Sequence, residues 1–260
     1  MVSKPRQIAD YNAGMTRPEP TQTAAEILRS RFGDADSLFL AGSVVRGEAT
    51  ASSDLDLVVL YPRLPESYRE SFVHQGWPVE AFVHDEETIE YYFIERDLDS
   101  GVGSLLWMVS EGIAITAQTP LNARVQARAL ALRDAGPGPW SRADVDYSRY
   151  TITTVIDDLE DARNPAEQRA IVAELHPLLA THFFRSNGLW SATGKTIPRR
   201  LATADSATHD RFVAAFEAAF RGQISALIEL ADGIIAPSGG RLFVGYRSES
   251  DTDMRRKPSR

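Results

Sequence analysis

The chain has no cysteine among its 260 residues, so disulfides and any thiolate zinc site are excluded. It has no apolar run near the ~20 residues that a membrane-spanning helix needs, and no membrane partner is expected. The opening Met1-Val2-Ser3-Lys4-Pro5-Arg6 lacks the apolar segment of a secretory signal, which predicts a cytoplasmic protein. Positive charge is in deficit. A formal net charge of -8 argues against a wide nucleic-acid surface, because affinity for phosphate backbones comes largely from lysine and arginine releasing counterions. Histidine is scarce and scattered. His176 and His182, six residues apart on a predicted helix, fall on different faces, and His84 ends a strand, so no histidine metal site is expected. No internal repeat is apparent, and the 43% hydrophobic content is that of a globular protein with a real core.

What the chain does have is concentrated between residues 37 and 60. Leu38-Phe39-Leu40-Ala41 reads as a buried strand entering a tight turn at Gly42, and Leu55 with Leu57 to Leu60 as the next strand. Ten residues separate Ser43 from the pair Asp54 and Asp56. Side chains alternate along a strand, so those two carboxylates share one face. Held that close they repel, and one would keep its proton unless a cation were bound. Hard oxygen ligands on one face select Mg²⁺ or Mn²⁺.

These residues resemble the nucleotidyltransferase superfamily that includes the polymerase-beta-like and aminoglycoside nucleotidyltransferases. Its signature is a hydrophobic strand, Gly-Ser, roughly ten residues, and Asp-hydrophobe-Asp-hydrophobe; Gly42, Ser43, Asp54 and Asp56 match it, as do Arg46-Gly47 and Ser53-Asp54. The family's third acid, flanked by hydrophobes on a neighbouring strand, is matched by Glu80 in Val79-Glu80-Ala81-Phe82-Val83. A second stretch, Thr193-Gly194-Lys195-Thr196-Ile197-Pro198, is similar to the Thr-Gly-Lys-x-x-Pro of the streptomycin and spectinomycin adenylyltransferases.

The resemblance implies an enzyme that moves a nucleoside monophosphate, AMP from ATP being the expected case, to a hydroxyl of a small, aminoglycoside-like acceptor with two Mg²⁺ ions, Mn²⁺ being the alternative metal. Asp54 and Asp56 would hold the metals, with Glu80 a ligand, the base for the acceptor hydroxyl, or both. Gly42, Ser43, Arg46, Ser53 and Lys195 would contact the nucleotide. No nucleic-acid template is implied. Two other readings stand beside this one: an antitoxin-type nucleotidyltransferase that modifies a partner protein, and a non-catalytic nucleotide-binding scaffold. The oligomeric state is open.

The expected fold class is α/β, a small mixed-sheet nucleotidyltransferase domain followed by an α-helical bundle. The expected divisions are a flexible segment 1–20, the nucleotidyltransferase domain 21–136, the helical domain 137–247 and a disordered tail 248–260. The interruption Asp134-Ala135-Gly136-Pro137-Gly138-Pro139 sets the middle boundary. Strands are expected near 37–41, 55–61, 79–84 and 113–116. A short helix is expected over Pro65 to His74, closed by Gly76, and a hairpin turn at Gly239-Gly240.

Overall fold

A computed structural model describes residues 17–249. They divide between Pro137 and Gly138 into two compact units. The flexible segment and tail expected at the two ends lie mostly outside the described residues.

The first unit opens with helix α1 (Pro20–Arg31), started by a proline at its first position and by the Glu19 carboxylate, which accepts from the Gln22 amide at 2.9 Å. The strands are β1 (Ser37–Ala41), β2 (Leu55–Leu60), β3 (Tyr68–His74), β4 (Trp77–His84) and β5 (Ile113–Ala114). They form one mixed sheet in the order β3-β4-β2-β1-β5. All pairings are antiparallel except β2 with β4, which run parallel with Asp56 opposite Glu80. One face, with Leu38, Leu40, Leu55, Leu57, Val59, Val79, Ala81 and Val83, packs on Ala24 and Ile27 of α1. Alternation sends Asp54, Asp56 and Glu80 to the other face. That second face is covered towards β1 by α3 (Ser104–Glu111), whose Leu105, Leu106 and Val109 are buried. Between β4 and α3 run α2 (Glu86–Tyr92), capped by Asp85 and Thr88, and one π-helical turn (Phe93–Leu98). The buried Asp97 carboxylate from that turn accepts from the Leu106 amide at 2.7 Å and so fixes the start of α3. Helix α4 (Pro120–Ala135) follows a Thr119–Asn122 capping box and ends the unit.

The segment expected to be a helix over Pro65 to His74 is instead β3. Its burial alternates, with Glu70, Phe72 and His74 less exposed than their neighbours, and Gln75-Gly76 joins it to β4 as a two-residue turn. Both turn residues have positive φ, 48° and 81°, as a type I′ hairpin requires. Gly76 therefore closes a hairpin and not a helix.

The second unit is helical: α5 (Arg142–Glu160), α6 (Pro165–Ser186), α7 (Thr196–Ala204), α8 (Ser206–Phe220) and α9 (Ser225–Ile235). Ser141 and Asp144 form a capping box at α5, and Asn164 caps α6. Ile152, Ile156, Leu175, Leu179, Phe184, Phe212 and Leu227 are fully or almost fully buried in one shared core. The hairpin expected about Gly239-Gly240 does not form. Ala236–Ser238 is a 3-10 turn, and the described residues after Gly240, 241–249, carry no strand. The cause is Arg149, 5% exposed, which donates to the carbonyl oxygens of Gly239 and Gly240 at 2.8 Å each and ties that turn to α5. Beside it, His182 is fully buried between the hydroxyls of Ser148 and Ser238, and burial pushes its pKa down to about 4. Among the described residues no helix is long and apolar enough to cross a membrane.

Candidate active site

Strand β1 delivers the chain to Gly42, whose φ of 76° lies in the left-handed region. A Cβ built there would overlap Asp56 Oδ2 and stand 2.9 Å from Asp56 Cγ. Glycine is therefore fixed twice, by its dihedral and by the carboxylate packed against it. After Gly42–Val44, a single 3-10 turn, the loop returns to β2 through short hydrogen bonds. The Glu48 amide donates to Ser43 O at 2.9 Å, and the Thr50 amide to Ser53 Oγ at 2.8 Å. Ser43 Oγ donates to Ser53 Oγ at 3.1 Å. Ser53 thus shapes the turn directly, and it also places the Ser43 hydroxyl.

Asp54, Asp56 and Glu80 converge. Each is partly buried, and one carboxylate oxygen from each lies within 4.8 Å of the others. The approach follows from pairing: Asp56 and Glu80 are opposed across the parallel β2–β4 ladder, and Asp54 is two residues before Asp56 on the same side. Burial, and then the charges of Asp54 and Glu80, raise the Asp56 pKa to about 6, with Arg46 and Arg69 partly offsetting them. Three hard oxygen donors, one of them held against ionisation by burial and then by its neighbours, fit a divalent cation such as Mg²⁺ or Mn²⁺.

The remaining predicted residues divide between the two units. Arg46 is exposed near the loop, 3.3 Å from Glu48 and 3.8 Å from Glu111. Lys195 belongs to the second unit, where it is exposed and directly precedes α7. The Thr193–Thr196 turn that holds it is closed by a 2.8 Å bond from Thr196 Oγ1 to Thr193 O.

Sequence reasoning missed Arg69. Its Nη2 donates to Glu80 Oε2 at 2.5 Å, and its guanidinium lies 4.7 Å from the centre of the Phe82 ring. The signal was available only once β3 was known to be a strand, since the β3–β4 register sets Ser71 opposite Glu80 and Arg69 opposite Phe82. That puts Arg69 diagonal to the third acid on the same face.

Residues 22–106 match the model of the family described as "Nucleotidyltransferase domain", a span that holds the Gly42-Ser43 turn, all three acids and Arg69. A crystal structure described as a nucleotidyltransferase-like protein from Exiguobacterium sibiricum 255-15 is similar at a TM-score of 0.42 and 12% identity, over 84% of this chain and 75% of that one. No curated protein matches the chain.

Proposed function

We propose that the first unit transfers a nucleoside monophosphate, AMP from ATP, to a hydroxyl of a small-molecule acceptor in a Mg²⁺-dependent reaction. The observation that carries this reading is the convergence of Asp54, Asp56 and Glu80 beside a Gly-Ser turn that tolerates no side chain at Gly42. The family match over residues 22–106 supports nucleotidyl transfer as the general chemistry.

Bound divalent cations would lower the barrier to attack by a hydroxyl and offset charge on the departing pyrophosphate. The chain's own residues do the rest. Asp54, just before β2, and Asp56, on it, would hold the cations. Gly42 admits a phosphate close to the backbone, where the Ser43 amide and hydroxyl donate to its oxygens. Arg46, within reach of the same loop, adds positive charge. Glu80 accepts the proton of the incoming hydroxyl.

The test is incubation with radiolabelled ATP and Mg²⁺ against a panel of hydroxylated acceptors that includes aminoglycosides. Label is expected on an acceptor with the wild type and not with Asp54→Asn or Asp56→Asn. Glu80→Gln is expected to slow turnover by roughly 10² or more, the usual worth of a positioned base. No nucleotide binding with any divalent metal would refute the proposal, and label recovered on a partner protein would redirect it to protein modification.

A further inference from the structure

Glu80 stands between opposite charges. The sheet order places β4 between β3 and β2, so Arg69 reaches Glu80 from one neighbouring strand while Asp54 and Asp56 approach it from the other. The ion pair uses Oε2 and leaves Oε1 outside it. Arg69 does not plug the site: its side chain is 54% exposed on an edge strand and is steadied by Phe82. Among the described residues, no other cation contacts a carboxylate of the triad within 4.0 Å.

We infer that Arg69 is the positioning residue that determines how Glu80 serves the reaction. By holding one oxygen from β3, it keeps Glu80 from closing on a cation with both oxygens and leaves the carboxylate aligned to take a proton. A planar, always-charged guanidinium steadied on the Phe82 ring suits this task, because it holds Oε2 at one place while leaving Oε1 outside the pair. Without Arg69, Glu80 turns towards the Asp pair, so metal binds more tightly while chemistry slows. Opposite movement of those two quantities is what a merely structural arginine does not produce. The inference rests on the transferase reading proposed above.

Mn²⁺ titration followed by electron paramagnetic resonance, run beside the nucleotide-transfer assay, tests it with Arg69→Gln, Arg69→Met and Arg69→Lys. Methionine keeps an apolar stem over Phe82, so a folding defect from lost stacking would appear in the Gln variant and not in the Met one. Both neutral variants are expected to bind Mn²⁺ about fivefold more tightly, the worth of one exposed ion pair that no longer competes. Turnover is expected to fall by roughly 10². Arg69→Lys, which keeps the charge but not the planar group stacked on Phe82, is expected to hold Mn²⁺ affinity near the wild-type value and lose part of the turnover. In a Glu80→Gln background the same neutral substitutions are expected to move Mn²⁺ affinity by less than about twofold, because the coupling runs through Glu80. Unchanged Mn²⁺ affinity, an equal change in the Glu80→Gln background, or a parallel loss of affinity and turnover overturns the inference alone. A wild-type protein that binds no Mn²⁺ overturns the transferase reading, and the inference falls with it.

Discussion

Replacing Asp56 with Asn is expected to strengthen the metal-free fold while disabling the site. Folding takes this carboxyl from an ordinary value of 3.8 to about 6, chiefly by burial and then by the charges of Asp54 and Glu80. At 1.36 kcal/mol per pKa unit, ionising it in the folded state above pH 7 opposes folding by about 3 kcal/mol. The sign follows from proton binding. Between about pH 4 and 6 the folded chain holds a proton that the unfolded chain has released, so stability falls as pH rises through that window and levels off above it. Asparagine keeps the shape and never ionises. The variant's advantage is therefore expected to be about 3 kcal/mol at pH 8 and to shrink to about 1 kcal/mol at pH 4.5. Native-state hydrogen exchange at the β2 amides in EDTA would read this difference directly, since it reports on the first unit without requiring the two units to unfold together. Adding Mg²⁺ at 100 times its dissociation constant is expected to stabilise the wild type by about 2.7 kcal/mol and the variant not at all. If Asp56→Asn in EDTA is no more stable than the wild type at pH 8, or its advantage is the same at pH 4.5, the account of crowded carboxylates is wrong.

Gly42→Ala is expected to destabilise the first unit by at least about 1 to 2 kcal/mol through the left-handed backbone alone, and to weaken Mn²⁺ binding because its methyl group must displace the Asp56 carboxylate; chemical denaturation and metal titration would show both. Arg149→Met is expected to cost on the order of 3 kcal/mol in the helical unit by removing the two charge-assisted hydrogen bonds that tie the Gly239 and Gly240 carbonyls to α5, as measured by urea unfolding. Arg149→Lys is expected to recover only part of that loss, because an ammonium group cannot reach two carbonyls with a rigid fork.

The residues that announce the site are those whose spacing is local. Gly42, Ser43, Asp54 and Asp56 lie within one strand-loop-strand unit, so alternation and a glycine turn suffice to place them. Glu80 was legible because hydrophobes flank it on a buried strand. Helix starts at Ser141 and Pro165 were legible too, because caps are written in adjacent side chains. The failures arise where distant contacts decide the outcome. Residues 68–74 include Arg69, Glu70 and Ser71, which suit a helix about as well as a strand, and only pairing with β4 selects the extended form. The turn that signals the hairpin is disguised by Gln75, a side chain uncommon at positive φ. Helix α7 was not foreseen, because Pro198 lies inside the Thr196–Ala204 stretch; it is tolerated in the first turn, where no intrahelical donor is lost. The expected hairpin at Gly239-Gly240 failed because nothing in those residues reveals a buried arginine ninety positions earlier in the chain.

The tight two-residue connection at Gln75 and Gly76 sets the register that brings Arg69 beside Glu80. Inserting a single amino acid there would slip one strand against the other and turn alternate side chains to the far side of the sheet. The aspartates would stay in place while their companion acid lost its escort. Loop length at this bend thus decides whether the arginine and the acid face each other on one side of the sheet.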